Sequence, residues 1–125
     1  MALLEVENLE AFYGPIKALH GVSFSLEEGS VTTILGANGA GKTTTLRSIC
    51  GMVKTAGQIR MDGADIASKA TEDIVRTGVA HVPEGRGTFT RVTTEENLRL
   101  GAYSRRDKKA IKDDLERVYG YFPRL

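Results

Sequence analysis

The sequence contains no apolar run approaching the roughly 20 residues that a membrane-spanning helix needs. Its N-terminus turns acidic at Glu5 and Glu7, too early for a signal peptide. A single cysteine, Cys50, excludes an internal disulfide, and we interpret it as a small buried apolar residue at a helix end. These absences predict a cytoplasmic protein.

An excess of charge of one sign is also missing. The chain has 17 basic and 16 acidic residues, with a formal net charge of +1. We therefore do not expect a nucleic-acid partner bound through a broad basic surface. There is no internal repeat or low-complexity tract, and 125 residues suffice for one domain with a core of its own.

Residues 36–44 match the pattern G-x-x-x-x-G-K-[ST] of a phosphate-binding loop. The loop follows a β-branched run at 31–35 and precedes residues typical of a helix. Its glycines let backbone N–H groups approach a polyphosphate, and the N-terminus of the next helix favours an anion. We expect Lys42 to contact the β- and γ-phosphates and Thr43 to ligate the accompanying Mg²⁺.

Periodicity predicts the elements around this loop. Two half-exposed antiparallel strands are expected before it, separated by a turn at Gly14-Pro15. The run 31–35 lacks alternation and predicts a central strand buried on both faces. Further along we expect a helix at 43–50, a strand at 59–61 with a turn at Asp62-Gly63, a helix at 66–75 and a strand at 79–84 ended by Pro83.

Helices dominate the C-terminal part. Thr93 and Glu96 match a capping box, so a helix should begin near Thr94. Residues 107–121 predict an amphipathic helix whose apolar side includes Ile111, Leu115, Val118, Tyr119 and Phe122. The change from strands to helices predicts a boundary between 1–84 and 85–125.

The order of these motifs resembles the nucleotide-binding subunit of an ATP-binding cassette (ABC) transporter. The resemblance rests on Phe12-Tyr13-Gly14, the phosphate loop, and the stretches 82–86 and 94–98, and it extends over the whole chain. It implies an α/β P-loop NTPase core of the ABC type, with N-terminal antiparallel strands and the start of a helical subdomain. The core would occupy 1–84, and the exit of the family's Q-loop with the helical subdomain would occupy 85–125.

The resemblance also implies ATP and Mg²⁺ as cofactors. By the same resemblance, Lys42 is the catalytic residue that offsets the negative charge of the phosphates, and Thr44 binds the α-phosphate. Tyr13 stands where the family has an aromatic residue that stacks on adenine. Glu84 stands where the family usually has glutamine; because an ionised glutamate cannot donate a hydrogen bond, a metal role beside Thr43 is expected and a water-positioning role is put in doubt. The expected nucleotide-binding residues are Tyr13, Ala18, Gly36, Asn38, Gly39, Ala40, Gly41, Lys42, Thr43 and Thr44.

The stretch Pro83-Glu84-Gly85-Arg86 resembles the branch of the family that imports branched-chain and other hydrophobic amino acids. The family's partners are implied with it: transmembrane permease subunits and a second cassette subunit, which place the protein at the inner face of the cell membrane.

The family's Asp-Glu strand, Leu-Ser-Gly-Gly signature and switch histidine do not occur in these 125 residues. We therefore expect this chain to be the first half of a cassette. ATPase activity is expected of the full subunit, and almost no activity is expected of this chain alone. The main alternative is a non-catalytic nucleotide-binding or interaction fragment. A small P-loop kinase or a DNA-associated cassette ATPase would need an acceptor site or a coiled-coil insertion, and neither is evident.

Overall fold

The structure, a computed structural model, describes residues 2–36, 41–85 and 87–125. The chain forms two compact units, the first ending at His81 and the second running from Val82 to Leu125. The first unit contains β1 (Ala2–Tyr13), β2 (Ile16–Glu27), α1 (Lys42–Ile49), β3 (Lys54–Met61), β4 (Ala64–Asp65) and α2 (Thr71–Arg76); the second contains α3 (Thr94–Leu100) and α4 (Lys108–Tyr121). Within the described ranges, no helix is long and apolar enough to cross a membrane.

The four strands make one antiparallel sheet in the order β2-β1-β3-β4. The predicted N-terminal strand pair and its turn at Gly14-Pro15 are confirmed. The turn at Asp62-Gly63 is confirmed too, with φ values of 51° and 82° that suit a tight hairpin. Antiparallel strands combined with helices give the expected α/β class.

Strand β1 contains a bulge that keeps its apolar side chains on one face. Leu4 and Val6 are buried, and so are Leu9 and Ala11, which breaks the strict period of two. The pairing register shifts here against both β2 and β3, and Asn8 has a φ of 50°. The irregularity brings the second pair back to the core face.

The core of the first unit lies between the sheet and α1, and one residue of α2 joins it. These helices contribute Ile49 and Ile74 to it. Cys50 is buried at the end of α1, as predicted, and burial raises the pKa of its thiol. The buried cluster comprises Leu4, Val6, Leu9, Ala11, Leu19, Ile49, Ile59, Ile66 and Ile74.

Two predicted strands are wrong. Residues 31–35 have no regular secondary structure, and the side chains of Val31 and Leu35 are 94% and 86% exposed. Residues 79–84 are likewise neither helix nor strand. Each run has the composition of a strand, but a strand also needs hydrogen-bonded neighbours. No strand within the described residues pairs with either run.

The helix predicted over 66–75 is shorter than expected. The first predicted residue, Ile66, is fully buried but donates its amide to the Ile59 carbonyl oxygen at 2.9 Å, which continues the β3–β4 hairpin. The Asp65 carboxylate accepts from the Ala67 amide at 2.9 Å. These local hydrogen bonds hold residues 65–67 in a non-helical conformation. The helix therefore begins later than predicted, and α2 spans only Thr71–Arg76.

The first helix of the second unit has the cap predicted for it, and the second helix has a side-chain cap that was not predicted. Thr93 Oγ1 accepts from the Glu96 amide at 3.1 Å, and α3 begins at the next residue, Thr94. The Asp107 carboxylate accepts from two amides at the start of α4. Leu115 is buried as predicted, whereas Phe122 is 60% exposed because the helix ends at Tyr121.

We expect Gly57→Ala to destabilise the first unit by about 2–4 kcal/mol, because a Cβ there would lie 2.3 Å from the Asn8 carbonyl oxygen at a φ of 99°. Gly63→Ala is the matched control, since its φ of 82° is also positive but open space surrounds it. The control should cost only about 1 kcal/mol. Urea unfolding measures both, and equal losses would contradict the close approach of Gly57 to β1.

Candidate nucleotide-binding site

Helix α1 begins immediately after Gly41, which has a left-handed backbone with a φ of 99°. A Cβ on this residue would lie 2.7 Å from Leu19 Cδ2 and 4.0 Å from the Ala18 carbonyl oxygen. Leu19 is buried in β2. Glycine is therefore needed for both the turn and the close packing, and it brings the helix start beside Ala18.

The N-terminus of α1 has no side-chain cap and no acidic residue in its first turn. The other described helices differ: α3 and α4 are capped by side chains, and α2 carries two acidic residues in its first turn. Uncapped first-turn amides and the positive end of the helix dipole favour an anion. The start of α1 is therefore well suited to a phosphate group.

Lys42 is the first residue of α1 and is half-buried. Its Nζ donates to the Gly36 carbonyl oxygen at 2.5 Å, which links the helix to the residue that opens the loop. In the part of the chain that the structure describes, no carboxylate forms an ion pair with Lys42. An ammonium group has three donors, so this one can also bind an anion.

The three consecutive threonines of α1 have different environments. Thr45 is only 4% exposed, and its Oγ1 donates to the Gly41 carbonyl oxygen at 2.8 Å. Thr44 is half-buried, and Thr43 is exposed. Because successive residues of a helix point in different directions, the side chain of Thr45 is buried whereas that of Thr43 is accessible from solvent.

Tyr13 lies at the end of β1 and reaches α1. Its hydroxyl is 3.3 Å from Thr44 Oγ1, and its side chain remains 40% exposed. The hydrogen bond with Thr44 lowers the pKa of Tyr13, desolvation opposes the shift, and Arg47 also lowers it through a hydrogen bond and its charge. An exposed aromatic ring therefore stands directly beside the first turn of the helix.

Four of the predicted residues lie outside the described part of the first unit. Asn38, Gly39 and Ala40 lie outside the described residues. Glu84 is exposed and belongs to the second unit. The structure thus brings together Tyr13, Ala18, Gly36, Gly41, Lys42, Thr43 and Thr44, all of them in the first unit.

The donor set fits a metal held mainly by a nucleotide. No group of three or more His, Cys, Asp or Glu side chains that could hold a metal ion occurs among the described residues. Mg²⁺ commonly keeps several waters and binds substrate phosphates with few protein ligands. The exposed Thr43 hydroxyl at the helix start suits that mode of binding.

Two residues of this region were not predicted from the sequence. Leu19 packs closely against Gly41, and Arg47 contributes to the lowered pKa of the Tyr13 hydroxyl. Arg47 follows Thr44 by three residues, so helical spacing indicates that the two share a face. The approach of Tyr13 to that face has no local signal, because 31 residues separate it from Thr44.

The ABC transporter family matches residues 19–122 of the chain. Over 124 residues the chain is 40% identical to the high-affinity branched-chain amino acid transport ATP-binding protein BraG of Pseudomonas aeruginosa, covering 98% of this chain and 53% of that protein. It is 33% identical to the probable branched-chain amino acid transport ATP-binding protein LivF of Archaeoglobus fulgidus, with 98% and 52% covered.

A solved ATP binding subunit of an ABC transporter superposes with a TM-score of 0.75 at 34% identity, over 86% of this chain and 45% of that one. The chain belongs to the ABC transporter family, and the fold is that of an ABC ATPase cassette. It spans about half the length of the curated relatives that it matches.

We expect Thr44→Val to raise the pKa of Tyr13, because the lost hydroxyl donates to the phenolate and stabilises its charged form. Absorbance of ionised tyrosine along a pH titration measures the change, and Tyr13→Phe identifies which part of the curve belongs to Tyr13. Thr43→Val is the matched control, since Thr43 is the neighbouring threonine and is exposed. A Tyr13 titration unchanged by Thr44→Val would contradict the hydrogen bond.

Proposed function

We propose that the protein binds ATP with Mg²⁺ at the loop 36–44 and forms part of the ATP-binding subunit of an ABC transporter. The arrangement around Lys42 carries this proposal: a half-buried cation without a carboxylate partner among the described residues, at the start of an uncapped helix. A triphosphate supplies the negative charge that such an arrangement lacks.

The proposed roles follow from where the side chains lie. Lys42 offsets phosphate charge, and the amides at the start of α1 donate to phosphate oxygens. Thr43 contributes its exposed hydroxyl to Mg²⁺, and Thr44 contributes its hydroxyl to the α-phosphate. The Tyr13 ring, 40% exposed beside the helix, offers a face on which adenine can stack.

Bound Mg²⁺ would neutralise charge on the phosphates and bridge their oxygens. Thr43 and Glu84 are the proposed protein ligands of the metal. In the same proposal, residues 1–84 form the nucleotide-binding core, and residues 85–125 form the Q-loop exit and the start of the helical subdomain.

Branched-chain or other hydrophobic amino acids are the proposed transported solutes. The stretch Pro83-Glu84-Gly85-Arg86 supports this class, and so do the names of the relatives from Pseudomonas and Archaeoglobus. The proposed partners are transmembrane permease subunits and a second ATP-binding cassette, which would hold the protein at the inner face of the cell membrane. ATP binding and hydrolysis by the full subunit would then drive import.

A second candidate is a non-catalytic nucleotide-binding or interaction fragment. The observation that favours it is the exposure of Val31 and Leu35, which lie in an apolar segment without a sheet neighbour among the described strands. Such a segment offers unpaired backbone groups to another strand. Hydrolysis of ATP by the full subunit would separate the two candidates, because only the first includes catalysis.

We expect Lys42→Ala to weaken MgATP binding by roughly 10- to 100-fold, because a charge-assisted contact with phosphate is lost. Calorimetric titration of the 125-residue chain with MgATP measures the affinity. Lys112→Ala is the matched control, since it removes one cation from an exposed position on α4. Unchanged affinity in Lys42→Ala would overturn the assignment of the site.

We expect negligible steady-state ATP turnover by the 125-residue chain, because it lacks the Asp-Glu strand that supplies the family's general base. Release of inorganic phosphate measures the rate. Turnover that disappears in Lys42→Ala would contradict the expectation and would remove the non-catalytic candidate.

A further inference from the structure

The proposed function assigns separate roles to Tyr13, whose ring would stack on adenine, and to Thr44, whose hydroxyl would bind phosphate. A hydrogen bond joins the hydroxyl groups of these two residues. The oxygens are 3.3 Å apart, and either can be the donor. Tyr13 ends β1, and Thr44 lies in the first turn of α1. The bond thus connects the aromatic ring to the part of the helix that would face phosphate.

Donor counting decides the direction of this bond once phosphate is present. A hydroxyl donates one hydrogen bond and accepts others, whereas ionised phosphate oxygens only accept. If Thr44 gives its single hydrogen to phosphate, its oxygen can only accept from Tyr13. The two hydroxyls then form a relay in which Tyr13 donates to Thr44 and Thr44 donates to phosphate.

Arg47 favours the same direction. Its guanidinium carries only donors and cannot accept the phenol hydrogen, and both the hydrogen bond with Thr44 and the charge of Arg47 lower the pKa of Tyr13. The phenol hydrogen therefore remains available for Thr44. The hydroxyls of Thr45 and Ser48 are engaged elsewhere, since they donate to the carbonyl oxygens of Gly41 and Thr44.

We propose that the Tyr13 hydroxyl is a positioning group that holds the Thr44 hydroxyl with its hydrogen directed at a nucleotide phosphate. The role rests on the proposed function and is distinct from stacking of the Tyr13 ring on the base. Hydrogen bonds in a chain strengthen one another by polarisation, so loss of the first weakens the second. Phenylalanine at this position would keep the ring and lose the relay.

Calorimetric titration of the 125-residue chain with MgATP tests the relay through a double-mutant cycle. The variants are Tyr13→Phe, Thr44→Val and the pair combined, with Thr44→Ser as the conservative variant that retains a hydroxyl. Tyr121→Phe is the matched control, because it removes a tyrosine hydroxyl from an exposed position in the second unit. Thermal unfolding without ligand checks that each variant folds.

A relay predicts that Tyr13→Phe and Thr44→Val each weaken binding about three- to tenfold. The double variant should bind no worse than Thr44→Val alone, because removal of Thr44 leaves Tyr13 nothing to position. Thr44→Ser should weaken binding less than Thr44→Val does, because it keeps a hydroxyl, and Tyr121→Phe should bind as the unchanged protein does. A merely structural role for the phenol would not give this non-additivity.

Wild-type affinity in Tyr13→Phe would overturn the relay, as would losses that multiply in the double variant. Both outcomes leave the proposed function standing, because the unchanged chain binds MgATP and Lys42→Ala still weakens it. Absence of MgATP binding by the unchanged chain overturns the proposed function itself, and the relay with it.

Discussion

The close packing of Gly41 against Leu19 fixes where α1 starts relative to β2, and the candidate site depends on that contact. A side chain at residue 41 would need the space that Leu19 Cδ2 occupies, 2.7 Å from the position of its Cβ. The Tyr13–Thr44 hydrogen bond, at 3.3 Å, has little length to spare. Displacement of the helix by about 1 Å would lengthen it beyond hydrogen-bonding distance, so the packing at Gly41 bears on residues far from it in the sequence.

The N-terminus of α1 differs from those of the other described helices because it has neither a side-chain cap nor an acidic residue in its first turn. Thr93 accepts from one amide at the start of α3 and Asp107 from two at the start of α4, so side chains of this protein already cap those helices. The start of α1 lacks such a group, and Lys42 beside it has a neutral carbonyl as its described partner. Partial burial of a cation without a counter-ion is unfavourable. An anion placed there would satisfy the amides and the ammonium together.

Local features of the fold could be predicted from the sequence, whereas those that need distant neighbours could not. The turn at Asp62-Gly63 and the cap at Thr93 are encoded within a few residues, and both are present. The run 31–35 predicts a strand by composition, yet pairing depends on other strands, and none of those described is beside it. Among site residues, Lys42 follows from the motif alone, while the approach of Tyr13 to Thr44 depends on how the hairpin packs on α1.

Glutamate at residue 84 constrains which role that residue could have in the proposed function. An ionised carboxylate only accepts hydrogen bonds, and so do the oxygens of a triphosphate. The two groups repel unless a cation or a donor lies between them. If Glu84 contributes, it does so through Mg²⁺ or a bridging water, unlike Lys42 and the helix amides, which can bind phosphate directly. The family's usual glutamine could donate as well as accept, so glutamate at this position makes its proposed role depend more on the metal.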